Sequence, residues 1–144
     1  MSKTAPPTRA DYKIFYPITT RWSDNDIYGH VNNVTYYSYF DTAANRYLIE
    51  EGGLDISDGS IVGYVVSSGC EYHAPITYPE SVAAGIRVDR LGNSSVQYGI
   101  AIFRQDQPVA AAHGYFVHVF VERAANRSVS IPAQLRIALA RLQV

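Results

Sequence analysis

"TRWSDNDIYGHVNNVTYYSYFD", residues 20–41, holds the densest group of polar side chains in the chain. Two Asp, three Asn, a Gly and a His stand just ahead of a run rich in Tyr. Turn-forming residues in front of a periodic apolar pattern indicate the start of a helix. Apolar side chains then recur at helical spacing, which predicts a helix over about residues 33–51. The apolar stripe of this helix consists of Tyr37, Phe40, Ala44, Tyr47 and Leu48.

The segments around this helix are typical of β-strands. One strand is predicted before it, within residues 12–22, and four follow it, within residues 61–76, 81–91, 95–104 and 109–123. A short C-terminal helix is predicted to open at Pro132. Strands that follow one another through short turns pair antiparallel. The sequence therefore predicts an α+β fold, in which an antiparallel sheet of about five strands wraps one long helix.

The composition bounds the class of protein. The chain has 144 residues, of which 47% are hydrophobic and 17% are charged, which fits one globular domain. We expect that domain over residues 12–144, after a disordered Pro/Ser/Thr-rich segment over residues 1–11. The net charge of −1 and the lack of a basic run argue against a nucleic-acid partner. No apolar run resembles a signal peptide or a membrane span, so we expect a cytoplasmic protein.

The residues before the helix are candidates for chemistry. Asp24, Asp26, Asn32 and Asn33 could all be turn and capping residues, but one helix needs only one cap. The free N–H groups at a helix start can polarise a carbonyl while a nearby carboxylate attacks it or activates water. His30, four residues after Asp26, is a further candidate. No metal site and no cofactor are predicted, since Cys70 is the only Cys and no ligand spacing occurs.

At "DNDIYGHVNNVTYYSYFD" the sequence resembles the 4-hydroxybenzoyl-CoA thioesterase family of hotdog-fold proteins. The segments "RLGNSSVQYGIAIFR" and "AAAHGYFVHVFVERAANRSVSIP" are also similar to late strands of this group, so that the resemblance covers about residues 12–140. It implies a curved sheet around one long helix and an acyl-CoA substrate. It also implies a homodimer or homotetramer, with two sheets paired edge to edge and active sites at the dimer interface.

The same resemblance implies roles for individual residues. Asp26, the second Asp of the D-x-D pattern, matches the catalytic carboxylate. Asn33 matches the position whose backbone N–H faces the thioester oxygen, and His30 is a third catalytic candidate. A basic cluster binds the CoA phosphates in the hydroxybenzoyl enzyme, but here the corresponding turn has only Arg90. The implied substrate-binding residues are Gly29, Val31, Asn32, Tyr37, Arg90, Ser94 and Ser95.

Two other functions compete with thioester hydrolysis. Hotdog hydratases and dehydratases also pair an Asp with a following His, in a D-x-N-P-x-H pattern. Here Asp26 and His30 are four residues apart and the Asn-Pro is missing. A non-catalytic protein that binds acyl thioesters is the third alternative, against which the presence of Asp26 counts.

Overall fold

The computed structural model describes residues 5–144 and contains one long helix and one antiparallel sheet. The long helix is α1 (Thr35–Glu50), and α2 (Ala133–Ala140) is the short C-terminal helix. No helix within these residues is long and apolar enough to cross a membrane. The strands are β1 (Ile14–Thr19), β2 (Ile61–Tyr72), β3 (Ser81–Leu91), β4 (Ser95–Arg104), β5 (Ala112–Glu122) and β6 (Arg127–Ser128).

The strands form one curled sheet with the spatial order β1-β3-β4-β5-β2, and the two-residue strand β6 pairs with β5. Every pairing of these strands is antiparallel. The strand before α1, β1, and the first strand after it, β2, therefore lie at opposite edges of the sheet. Pro17, which cannot donate to a ladder, lies in the edge strand β1 as expected. The predicted α+β hotdog fold is confirmed.

The core lies between α1 and the concave face of the sheet. Phe40, Ala44 and Leu48 on the predicted stripe have no exposed surface, and α1 contacts β3 and β4. On β4, Tyr98 and Ile100 are fully buried in this core, while Ala101 and Phe103 on the other face are buried in a second cluster with Tyr12 and Ala110. Burial of this apolar surface is the main force that holds a helix of this length on a sheet.

The segment before β1 departs from the sequence prediction. Disorder was predicted for residues 1–11, but residues 7–11 contact the connection between β4 and β5. Thr8 forms a β-bridge with Val109, and Arg9 donates from its backbone N–H to the carbonyl of Pro108 at 3.0 Å. Residues 9–11 then form a single turn of 3-10 helix. Residues 7–11 are thus held against this connection, while residues 1–4 lie outside the described residues, and the domain boundary at residue 12 stays a prediction.

A buried polar pair crosses the core beneath α1. Tyr98 on β4 and His118 on β5 are hydrogen-bonded, with 3.1 Å between the Tyr98 hydroxyl and Nδ1 of His118. The side chain of His118 is only 1% exposed. Burial lowers the pKa of His118 to about 4, because the charged imidazolium has no water around it.

We therefore predict that the free energy of unfolding falls as the pH is lowered from about 6.5 to about 4. In this range the unfolded chain binds a proton at His118 and the folded chain does not, so protonation favours unfolding. Urea unfolding at several pH values measures the slope. The His118→Gln variant keeps a polar partner for Tyr98 and does not titrate, so it should show a shallower slope. Equal slopes for the two proteins would contradict this prediction.

Candidate active site

A cleft of about 500 Å³ opens at the N-terminal end of α1. One wall is the loop that precedes the helix, together with the first helical turn. The other wall is the end of β2 and the residues that follow it. The lining residues are Asp26, Tyr28, His30, Val31, Asn33, Tyr36, Tyr72, His73, Ala74 and Pro75.

The loop begins with a tight turn between Asp26 and His30. The backbone N–H of Asp26 donates to the carbonyl of His30 at 2.9 Å, and the N–H of Gly29 donates to the carbonyl of Asp26 at 3.1 Å. Gly29 has a φ of +83° in the left-handed region, and a Cβ built there would meet no atom within 4 Å. Glycine is therefore favoured at this position by the backbone conformation and not by a lack of space.

Asp24 fixes this loop to α1 through a buried carboxylate. Its side chain, 1% exposed, accepts hydrogen bonds from the hydroxyl of Tyr39 at 2.7 Å and the backbone N–H of Arg21 at 2.9 Å. The guanidinium of Arg21 adds an ion pair at 3.0 Å. Burial alone would raise the pKa of Asp24, but these donors outweigh it and hold that pKa below its ordinary value. Asp24 is thus a structural residue.

Two backbone hydrogen bonds fasten the middle of the loop. The N–H of Val31 donates to the carbonyl of Ile76 at 2.7 Å, across to the chain that follows β2. The N–H of Asn32 donates to the carbonyl of Asp24 at 2.8 Å. Because both neighbours are already fixed, the chain reaches the helix along a defined path.

A β-turn over residues 32–35 leads into the helix. The N–H of Thr35 donates to the carbonyl of Asn32 at 2.9 Å, and the N–H of Val34 donates to Oδ1 of the same Asn32 at 3.2 Å. Val34 has φ −70° and ψ −23°, which is compatible with the third position of a type I turn. Within residues 5–144 the backbone N–H of Asn33 meets no acceptor, unlike those of residues 31, 32, 34 and 35. Asn32 therefore organises the turn through its side chain and its carbonyl, while the N-cap position of α1 is Val34, which makes no side-chain cap hydrogen bond.

Asp26 and His30 both line the cleft, but their side chains are not paired. Oδ1 of Asp26 accepts the backbone N–H of Tyr28 at 2.8 Å, which orients the half-buried carboxylate. No hydrogen bond or ion pair joins His30 to Asp26 through their side chains in the part of the chain that the structure describes. The short spacing in sequence therefore places the two groups at one cleft without forming an acid–base pair.

The second wall begins at Tyr72, the last residue of β2. Its hydroxyl donates to the carbonyl oxygen of Asn33 at 2.9 Å. Its ring packs edge-on against that of Tyr36, with 5.1 Å between the ring centroids. Burial raises the pKa of Tyr36 to about 12, so its hydroxyl keeps its proton at neutral pH. The end of the sheet and the start of the helix are thus joined by side chains across the cleft.

His73 continues this wall and belongs to a small histidine cluster. Its Nε2 lies 2.8 Å from Nδ1 of His113 on β5, and the two rings are stacked with 4.9 Å between centroids. Nε2 of His113 lies 3.5 Å from a carboxylate oxygen of Glu71. The cluster fixes the side of the cleft that faces away from α1. His118, also on β5, points into the core on the opposite face, as its spacing from His113 predicts.

The single chain brings together four of the predicted site residues, namely Asp26, His30, Val31 and Asn33. Gly29 and Asn32 belong to the same loop. Gly29 adopts the left-handed conformation of its turn, and the side chain of Asn32 accepts the backbone N–H of Val34. Tyr37 does not line the cleft, because its ring stacks on that of Phe116 in the core, with centroids 6.4 Å apart. The neighbouring Tyr36 takes that position. The residues that the sequence did not indicate are Tyr28, Tyr36, Tyr72, His73, Ala74 and Pro75.

Arg90, Ser94 and Ser95 lie near the other end of the sheet. Ser95 pairs with Val119, and Val119 pairs with Tyr64, eight residues before Tyr72 on β2. At about 3.3 Å per residue the separation along the strand is roughly 26 Å. Within one chain these three residues therefore lie far from the cleft, and their role in substrate binding stays a prediction.

No group of three or more His, Cys, Asp or Glu side chains in the described part of the chain could hold a metal ion.

Comparison with known proteins places this geometry in context. The family model of the thioesterase superfamily matches residues 28–111. The PA5185 protein from Pseudomonas aeruginosa strain PAO1 is 62% identical over 96% of each chain, with a TM-score of 0.95. The PA2801 protein from Pseudomonas aeruginosa, described as a thioesterase, is 31% identical over 86% of this chain and 95% of that chain, with a TM-score of 0.80.

A more distant match is the uncharacterized protein YsmA of Bacillus subtilis strain 168. It is 24% identical over 88 residues, which are 61% of this chain and 59% of that protein. The match therefore spans less than two thirds of the length of this relative. The family match begins at residue 28, two residues after Asp26. The role of Asp26 has to be argued from the cleft itself.

Proposed function

Because the chain belongs to the thioesterase superfamily, we propose that it hydrolyses the thioester of a small or medium acyl-CoA in the cleft at the start of α1. Asp26 supplies the reacting carboxylate, and the backbone N–H of Asn33 polarises the thioester carbonyl. His30 lines the same cleft and contacts the bound substrate.

The observation that carries this proposal is the backbone N–H of Asn33. It is a donor at a helix start, in a cleft that also contains a carboxylate. The N–H groups on either side of it are already bonded, so the loop is organised around it. A fixed donor of this kind stabilises the negative charge that develops on a carbonyl oxygen during acyl transfer, and the partial positive charge of the helix end adds to it.

The carboxylate of Asp26 complements this donor. With the thioester oxygen at Asn33, the carboxylate attacks the carbonyl carbon or removes a proton from the attacking water. Both routes release CoA as a thiol. The hydrogen bond from Tyr28 occupies one carboxylate oxygen, Oδ1, and Oδ2 remains for the reaction.

A panel of acyl-CoAs of increasing acyl length, aliphatic and aromatic, tests the activity with free thiol as the readout. Thiol release supports the proposal. Addition of water to an enoyl-CoA without thiol release would indicate a hydratase, and tight binding without turnover would indicate a binding protein.

We further propose that two protomers pair along β2. This strand lies at the edge of the sheet and is twelve residues long, twice the length of the other edge strand, β1. Its apolar side chains Tyr64, Val65 and Val66 are 46%, 43% and 60% exposed. A long apolar edge is prone to pair with another strand, and closed two-fold pairing is the commonest way to cover it. A tetramer would add a second interface to this dimer.

Such pairing accounts for the distant site residues. A two-fold axis perpendicular to the sheet makes the two β2 strands antiparallel, so the Tyr72 end of one strand meets the Ile61 end of the other. That end of the partner carries the turn between β3 and β4, with Arg90, Ser94 and Ser95. We propose that these residues contact the CoA held by the neighbouring protomer.

Substitution of Asp26 by Asn should lower turnover by on the order of 100-fold or more, since it removes the reacting carboxylate. The midpoint of thermal unfolding should change little, because the loop keeps its shape. The comparison variant is Asp24→Asn, which should lose roughly 1–3 kcal/mol of stability and lose less turnover per folded molecule than Asp26→Asn. Turnover by Asp26→Asn equal to that of the wild type, after correction for the folded fraction, would refute the role of Asp26.

Comparison of Asn33→Pro with Asn33→Ala should isolate the backbone donor. Alanine keeps the N–H and should keep substantial activity. Proline removes it, and the second position of a type I turn favours proline, so the loop should persist. Loss of one oxyanion donor typically costs about 100-fold or more in kcat, and we expect that ratio between the two variants. Similar kcat values for two folded variants would mean that this N–H does not take part.

Introduction of a charge at the sheet edge should separate the protomers. Val66→Glu places a carboxylate on each of the two paired strands, and sedimentation velocity should show a shift toward the monomer. Ile137→Glu on α2 is the matched control, because Ile137 is 59% exposed and Val66 is 60% exposed. A wild-type protein that is monomeric and active at micromolar concentration, or a Val66→Glu variant that remains dimeric, would contradict pairing along β2.

A further inference from the structure

The hydroxyl of Tyr72 reaches across the cleft to the carbonyl oxygen of Asn33, the residue whose N–H is the proposed donor. Tyr72 belongs to β2 and its Cα pairs with Ala112 of β5, so its backbone is part of the sheet. The contact therefore joins the turn before α1 to a strand that is held in the sheet by its pairing with β5.

The peptide bonds on either side of Asn33 explain why this contact matters. The peptide between Asn33 and Val34 is held at both ends by side chains. Its carbonyl accepts the hydroxyl of Tyr72, and its N–H donates to Oδ1 of Asn32. A peptide plane that is fixed at both ends cannot rotate.

The preceding peptide, between Asn32 and Asn33, is held at one end only. Its carbonyl accepts the N–H of Thr35, while its own N–H belongs to a residue that lines the cleft and meets no acceptor within residues 5–144. In a trans peptide these two groups point in opposite directions. Two contacts thus set the direction of the Asn33 N–H. One is the bond from Thr35 to the carbonyl of Asn32, and the other is the bond from Tyr72 that fixes the following peptide plane.

From these contacts we infer that Tyr72 is a positioning residue for the oxyanion donor of Asn33. The inference rests on the proposed thioesterase function. Tyr72 acts through the backbone of Asn33, so it aligns the donor with the thioester oxygen and need not react itself.

The surroundings of Tyr72 suit this role. Its ring is braced by the buried ring of Tyr36 at an interplanar angle of 83°, which fixes the direction in which its hydroxyl points. Burial is the main cause that raises the pKa of Tyr72, so the hydroxyl keeps its proton at neutral pH. At that pH the hydroxyl can donate to the carbonyl.

The test is Tyr72→Phe, which removes one oxygen atom and keeps the ring. A misplacement of about 1 Å at a reacting group can cost about 100-fold in rate, and release of one anchor of two should cause part of that. We expect kcat to fall roughly 10-fold with KM within about twofold of the wild type. The matched control is Tyr115→Phe, which loses one hydroxyl contact, to Ser67 at 3.3 Å, on the outer face of the sheet. It should leave kcat unchanged.

A double-mutant cycle shows whether the effect passes through Asn33. In the Asn33→Pro background the donor is absent, so Tyr72→Phe should lower kcat no further. A kcat of Tyr72→Phe equal to that of the wild type would overturn the inference. So would an equal loss in Tyr115→Phe, or a tenfold loss that persists in full in the Asn33→Pro background.

Failure of the proposed function looks different from failure of this inference. If the wild-type protein releases no thiol from any acyl-CoA, the function is wrong, and the role of Tyr72 falls with it. If the wild type is active and only the ratio of the variants departs from expectation, the function stands and Tyr72 is not its positioning residue.

Discussion

The cleft depends on one buried carboxylate, that of Asp24. A charge in this position would be costly without partners, but hydrogen bonds from Arg21 and Tyr39 and an ion pair with Arg21 compensate it. The carbonyl of the same residue receives the N–H of Asn32. Asp24 thereby joins the end of β1, the loop and the second turn of α1. The loop geometry follows from this connection together with that of Val31, whose side chain is buried in the core and whose N–H donates to the carbonyl of Ile76.

The polar cluster before α1 divides into two sets with different tasks. The side chains of Asp24 and Asn32 form hydrogen bonds with nearby backbone N–H groups, and Asp24 also accepts the hydroxyl of Tyr39. Such bonds are typical of residues in turns. Asp26 and Asn33 line the cleft. The first set shapes the loop on which the second set lies. Turn formation and capping therefore account for only part of the polar residues in this stretch.

Much of the fold could be predicted from the sequence, because the spacing of apolar residues and the positions of turn formers indicate most helices and strands. The strands β3 and β4 begin and end at the predicted residues, since clear alternation is bounded there by turn formers. The helix α1 starts two residues later than predicted, because Asn33 and Val34 form a turn first. The strand β5 begins at Ala112 and not at residue 109, as the preceding residues pair with the segment before β1 and with β4.

The candidate site was predictable only on its first wall. Asp26 and Asn33 are close in sequence, and their spacing alone indicates a common cleft. The pair His73 and His113 is forty residues apart, and only the register of β2 on β5 brings the two rings together. Arg90 was placed at the site by resemblance. The resemblance does not say whether Arg90 lies near the cleft of its own protomer or near that of a partner. Tyr37 was placed at the site by the resemblance, but its ring stacks on that of Phe116 in the core, and Tyr36 lines the cleft.

The two walls of the cleft come from parts of the chain that fold with different neighbours. The wall of residues 26–36 is a continuous segment, organised by its own hydrogen bonds and by Asp24. The wall of residues 72–75 is an extension of the sheet and contacts the first wall through Tyr72, whose ring packs on that of Tyr36 and whose hydroxyl donates to the carbonyl of Asn33. The next residue, Ile76, accepts the N–H of Val31. Changes in residues 73–75 can therefore reshape the space beside the substrate without disturbing the loop. In evolution or in the laboratory, such an arrangement allows the second wall to change while the loop before α1 keeps its geometry.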